Sequence, residues 1–152
     1  MNAVRPDLYV GKLADTLNHP LLQAEHIGAV LQLARAYEPP GLTTLYLPVE
    51  DGEPLDFELL RRGVAFVDQQ RNAGRRVLIA CGAGISRSAA FAVAVVKEAE
   101  TLTLLEAYAH VVQARPQALP HPLLWQSLCG YYNESVSVAE MIKQRRPVPT
   151  PW

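Results

Sequence analysis

Apolar and polar positions follow two different periods along this chain. Leu8-Tyr9-Val10, Ala29-Val30-Leu31-Gln32-Leu33, Thr43-Thr44-Leu45-Tyr46-Leu47 and Arg76-Val77-Leu78-Ile79-Ala80 are short runs rich in β-formers. Runs of this length bounded by glycine, proline or charge read as strands. Gly11 ends the first, and the turn-rich Glu38-Pro39-Pro40-Gly41 separates the second from the third. From 55 to 72 the period changes: Leu55, Leu59, Leu60, Val64, Phe66 and Val67 recur at helical spacing, and Gly74 supplies a helix stop. Residues 21–26 predict a short helix after His19-Pro20, and residues 88–100, 103–114 and 122–132 predict three longer ones. A further short helix is expected over 136–144, and the proline-rich 146–152 is expected to be an extended tail. Strands alternating with helices, then a helical end, predict an α/β fold. Its expected form is a single domain over 1–145 with a small, mostly parallel central sheet flanked by helices.

Composition narrows the class without changing that picture. The 152 residues are 49% hydrophobic and 19% charged, as in ordinary globular domains. A net charge of −1 gives no global field for nucleic acid or for an anionic membrane. The longest apolar stretch, 89–96, is far too short to span a bilayer. The first residues, Met-Asn-Ala-Val-Arg-Pro, have no apolar secretory core, so a cytoplasmic location is expected. Two cysteines, Cys81 and Cys129, stand 48 positions apart and in no metal-ligand spacing. Free thiols are the expectation in a reducing compartment.

The chemistry concentrates in Cys81-Gly82-Ala83-Gly84-Ile85-Ser86-Arg87-Ser88, between a predicted strand and a predicted helix. A thiol at a strand end, a glycine-bearing loop and a helix N-terminus together can cradle an anion against a nucleophile. Glycine permits the backbone angles by which the amides from Gly82 to Arg87 turn inward. Arg87 brings a permanent cation whose planar fork holds two phosphate oxygens at once. The loop amides, the helix N-terminus and Arg87 all favour the thiolate, which is the reactive form. Ser88 can donate a hydrogen bond to the sulfur as it leaves. The chemistry implied is covalent catalysis through a cysteinyl-phosphate. The competing reading is a buried cysteine, a glycine turn and a surface arginine.

The run resembles the signature of the cysteine-dependent dual specificity phosphatases, His-Cys-x-x-Gly-x-x-Arg followed by Ser or Thr. Cys81, Gly84, Arg87 and Ser88 match it. Asp7-Leu8-Tyr9-Val10-Gly11 is similar to the family's opening strand, and Arg115-Pro116, Leu119-Pro120 and Trp125-Gln126-Ser127-Leu128 to its C-terminal pattern. The resemblance spreads over roughly 7–132 and implies a small atypical member acting on phosphoproteins without a cofactor or a metal. It places the phosphate on Gly82, Ala83, Gly84, Ile85, Ser86 and Arg87. It also implies a general acid on a mobile upstream loop. Leu47-Pro48-Val49-Glu50-Asp51-Gly52 is similar to that loop, and Asp51 lies 30 positions before Cys81. Glu50 is the second choice; Asp68 lies inside a predicted helix and is poorly placed.

Two positions depart from the pattern. Ala80 stands where the family has His, which removes one support for the thiolate. His121 stands where Asn often follows Pro120, at the start of the last long helix. Cys129 reads as core packing, with an oxidation partner for Cys81 the alternative. His19, His26 and His110 have no ligand spacing. Arg61-Arg62 and Arg75-Arg76 read as solvated helix ends. Two other functions remain open from sequence: a phosphate-binding interaction module with poor turnover, and a phosphatase for small-molecule or lipid phosphoesters. The loop lacks the extra lysines common in phosphoinositide-cleaving relatives. Sequence leaves the oligomeric state and the choice among phosphotyrosine, phosphoserine and phosphothreonine open.

Overall fold

The computed structural model describes residues 1–145; the expected tail, 146–152, lies outside the described residues. In chain order the elements are β1 Asn2–Arg5, β2 Leu8–Lys12, α1 Leu13–Thr16, α2 His19–Ala24, β3 Ile27–Gln32 and β4 Thr43–Tyr46. Then follow α3 Phe57–Asn72, β5 Arg76–Cys81, α4 Arg87–Glu100, α5 Leu104–Ala114, α6 Pro122–Tyr132 and α7 Val138–Ile142. The sheet order is β1-β2-β5-β3-β4. β2, β5, β3 and β4 run parallel, and β1 pairs antiparallel with β2 on the edge. The mostly parallel α/β fold expected from the sequence is the fold observed.

Strand alternation sorts the core into two layers. Leu8, Val10, Ala29, Leu31, Val77, Ile79 and Cys81 face a large cluster shared with α3, α4, α5 and α6. Tyr9, Val30, Leu78 and Ala80 face the other way, onto Leu22 of α2 and Ile27. Every residue from Ala89 to Val96 is fully buried, so α4 is apolar all round because it is packed all round. Gly63 of α3 is where that packing is tightest: a Cβ there would lie 2.4 Å from Phe91 Cε1.

Local signals account for the helix ends. Asp56 caps α3 by accepting from the Glu58 and Leu59 amides, and Gly74 leaves it with φ +79. Thr103 and Glu106 form a reciprocal capping box at α5. Three elements differ from the sequence reading. Gly11 continues β2 instead of closing it, because the strand pairs with β5 as far as Lys12↔Cys81. β1 and the single turn α1 have no apolar run of their own; their partners define them. β1 is tied down by Arg5, which grips Glu100 with two bonds of 2.7 Å.

β5 sits at the centre of the sheet, and its carboxyl end delivers Cys81 between the ends of β2 and β3. In open α/β sheets this is where ligands bind.

Candidate active site

Cys81 is the last residue of β5 and is 3% exposed. Its Sγ lies 3.2 Å from the Oγ of fully buried Ser88, in the first turn of α4. That pair lets the thiol donate to Ser88, or Ser88 donate to the thiolate. Residues 82–86 then form a loop whose carbonyls each accept a hydrogen bond from a neighbouring segment or from α4. The Gly82 carbonyl accepts from the Leu13 amide of α1 at 3.2 Å, and the Ile85 carbonyl from the Leu119 amide at 2.8 Å. The Ser86 carbonyl accepts from the Ala90 amide at 3.0 Å, inside α4. Gly84 and Ala83 are held by one side chain: Arg115 donates from Nε to the Gly84 carbonyl at 2.6 Å and from Nη2 to the Ala83 carbonyl at 3.5 Å. With the carbonyls engaged outward, the intervening N–H groups are left for an anion.

Gly84 has φ +67, and a Cβ there would lie 2.6 Å from both Arg115 Nη2 and the Gly11 backbone. Only glycine fits this position. Arg115 is 4% exposed, and its Nη1 also donates to Asn2 Oδ1 of β1 at 2.7 Å. Burial pulls its pKa below the ordinary guanidinium value, and the opposing charges of Asp15 and Cys81 partly offset this. In the sequence Arg115 stands out only as part of a family pattern. Nothing in its local sequence announces that it folds back 31 residues to hold the loop.

Arg87 opens α4 and reaches back across the loop. Its Nη1 donates to the Val49 carbonyl at 3.1 Å, and its Nη2 would lie 3.3 Å from a Cβ on Gly82. Val49 leads directly into Glu50 and Asp51, so the same arginine braces the loop and the segment after β4. Asp51 Oδ1 accepts from Ser86 Oγ at 2.7 Å, which brings this carboxylate onto the loop after Cys81. Glu50 is exposed and precedes it. The structure thus gathers Cys81, Gly82, Ala83, Gly84, Ile85, Ser86, Arg87, Ser88 and Asp51 into one place.

The other candidates lie elsewhere. Asp68 lines a cavity of about 420 Å³ with Asp7, Arg71 and Glu98. Burial, then the charge of Glu98, raises its pKa, and neither cause involves the loop. Cys129 lies on α6; its thiol donates to the Val136 carbonyl at 3.4 Å, and burial pushes its pKa up. Ala80 is fully buried on the opposite sheet face from Cys81, against Leu22 and Tyr9. His121 N-caps α6: its Nδ1 accepts from the Leu123 amide at 3.1 Å, and its own amide donates to Ser86 Oγ at 2.8 Å. Among the described residues no three His, Cys, Asp or Glu side chains gather as metal ligands. Among them, too, no helix is long and apolar enough to cross a membrane.

A thiol at the end of a central parallel strand, a glycine loop closed by an arginine and a carboxylate leaning over it are the arrangement of the cysteine-based phosphatases. The family model "Dual specificity phosphatase, catalytic domain" matches residues 8–134, and the chain belongs to that family. Rat dual specificity protein phosphatase 12 is 37% identical over 122 residues, covering 76% of this chain but 36% of its own length. The chain therefore spans about a third of that relative. Zebrafish dual specificity protein phosphatase 22-B is 33% identical, covering 80% of this chain and 68% of its own. The crystal structure of human DUSP28 superposes with a TM-score of 0.82 at 28% identity, covering 88% of this chain and 96% of that one.

Proposed function

We propose that this chain is a phosphatase that hydrolyses phosphomonoesters on proteins, phosphotyrosine and also phosphoserine or phosphothreonine, through a cysteinyl-phosphate. The observation that carries this is the pairing of two contacts across the loop. Cys81 Sγ sits 3.2 Å from Ser88 Oγ, and Asp51 Oδ1 sits 2.7 Å from Ser86 Oγ.

In the first step the Cys81 thiolate attacks phosphorus as the bond to the leaving oxygen breaks, and protonated Asp51 gives that oxygen its proton. Arg87 and the amides of Gly82, Ala83, Gly84, Ile85, Ser86 and Arg87 hold the three equatorial oxygens through the transition state. In the second step ionised Asp51 takes a proton from water as it attacks phosphorus. The S–P bond breaks, Ser88 donates to the departing sulfur, and inorganic phosphate leaves. No step calls for a cofactor.

The binding-module reading is less well supported, because Cys81 pairs with Ser88 and Asp51 pairs with Ser86 on the one loop that Arg87 closes. A lipid phosphoester is disfavoured by a loop that offers no lysine between Cys81 and Arg87. A reducing, cytoplasmic setting is the one in which the Cys81 thiol stays available as a nucleophile.

The test is steady-state hydrolysis of aryl phosphates and phosphopeptides by the wild type, Cys81→Ser, Arg87→Ala and Asp51→Asn. The reading expects turnover that Cys81→Ser abolishes, and that Asp51→Asn lowers about 10²-fold or more on poor leaving groups. Phosphopeptide binding with no hydrolysis would favour the binding module.

A further inference from the structure

The segment carrying Asp51 is held at both ends by one helix. At its start, Ser86 Oγ donates to Asp51 Oδ1 at 2.7 Å and accepts from the His121 amide at 2.8 Å. At its end, the amide of buried Leu55 donates to Ser127 Oγ at 2.9 Å, while that hydroxyl donates to the Leu123 carbonyl one turn back at 2.8 Å. Each hydroxyl thus bridges with one proton given and one received. His121 and Ser127 lie at the N-terminus and in the middle of α6. Between the two ties, the His121 ring comes up beside the turn after the acid: a Cβ on Gly52, where φ is +79, would lie 3.7 Å from His121 Nε2.

We infer that α6 is the platform that presets the acid loop over the phosphate loop, with Ser127 and His121 as positioning residues acting through Leu55, Gly52 and Ser86. The inference rests on the phosphatase reading above and on Asp51 as its acid. Proton transfer in the transition state requires the donor within hydrogen-bond reach of the leaving oxygen. A displacement of the acid by about an ångström can cost 10²-fold. Loss of a tie therefore lowers kcat/KM, which covers only the steps up to the cysteinyl-phosphate, for leaving groups that need the proton, and spares those that do not.

The experiment compares phenyl phosphate, whose leaving group has a pKa near 10 like tyrosine, with a fluorinated aryl phosphate whose leaving group departs unprotonated. The variants are Ser127→Ala, Ser127→Thr, His121→Ala and His121→Asn, with Asp51→Asn as the reference. Ser127→Ala is expected to lower kcat/KM on phenyl phosphate about tenfold and to leave that on the fluorinated ester within about twofold. Ser127→Thr, which keeps the hydroxyl, restores the rate. His121→Ala keeps the backbone tie to Ser86 and removes the ring that caps the Leu123 amide beside Gly52, so it shows the same selectivity to a smaller degree. His121→Asn, which keeps a capping acceptor, recovers part of it. Both values are taken per active site, counted by stoichiometric alkylation of Cys81 with iodoacetate, so a poorly folded fraction drops out of the comparison. Equal losses on both esters, no loss on either, or a threonine that fails to rescue would each overturn the inference. If Asp51→Asn is itself unselective, the acid assignment fails. If Asp51→Asn is selective and the α6 variants are not, only the platform fails.

Discussion

Replacing Arg115 with lysine keeps the positive charge and removes the fork. Arg115 makes two short bonds, Nε to the Gly84 carbonyl at 2.6 Å and Nη1 to Asn2 Oδ1 at 2.7 Å. Its 3.5 Å contact with Ala83 adds little. A lysine ammonium is a single point and cannot serve both partners, so a buried acceptor is left without a donor. Hydrogen bonds to charged groups are worth about 1.5–3 kcal/mol, and a stranded buried acceptor costs about 1–3 kcal/mol. Arg115→Lys should then lose about 3 kcal/mol, or about 6–12 °C in Tm for a domain of this size. Activity should fall further than stability explains. Freed carbonyls let the loop amides turn, and losing one well-aimed donor to a transition-state oxygen costs about 10²-fold in kcat. The assay is a thermal melt together with kcat and inhibition by inorganic phosphate, measured well below the variant's Tm. A lowered Tm with kcat and phosphate inhibition unchanged would refute the reasoning and make Arg115 a fold staple alone.

Two further outcomes follow from packing and charge. Gly63→Ala lies inside α3, where alanine normally stabilises a helix by about 1 kcal/mol. Here the added methyl would meet Phe91 at 2.4 Å, so the sign should reverse to a loss of about 1–3 kcal/mol by chemical denaturation. Asp68 has its pKa raised by burial and by Glu98, so ionising it costs the folded state. For an acid shifted upward, the folded state binds more protons between the unfolded and folded pKa values, and stability falls as pH rises through that window. Asp68→Asn should therefore raise Tm at neutral pH by about 1–2 °C, an effect kept small by partial exposure, and the gain should vanish in acid below the unfolded pKa.

What the sequence makes legible is what lies close together in it. The eight residues from Cys81 to Ser88 are consecutive, so strand, loop and helix N-terminus are read off one run, and the fold places them as read. The α3 and α4 periods are long enough to fix their helices to within two residues. Asp51 needs the family resemblance, because Glu-Asp-Gly by itself is an ordinary acidic turn. The supports of the site are harder to see. Arg115, Ser127 and β1 act through partners 31, 72 and 113 residues away, at Gly84, Leu55 and Arg115. Arginine before proline, a helical serine and the strand Asn-Ala-Val-Arg have unremarkable local preferences. Their roles come from burial and from unpaired backbone groups that only the folded chain brings to them. Ala80 illustrates the converse. Its identity is conspicuous in the sequence, yet its side chain fills the core on the sheet face away from Cys81.

The central claim is that Cys81 takes the phosphoryl group. Rapid acid quench of the enzyme during turnover of a phosphorus-labelled aryl phosphate, followed by peptide mapping, tests it most directly. The account predicts label on the peptide holding Cys81, in an S–P linkage that iodine cleaves, that appears within the first turnover and is absent from Cys81→Ser. Turnover that persists in Cys81→Ser, or label on another residue, would contradict it.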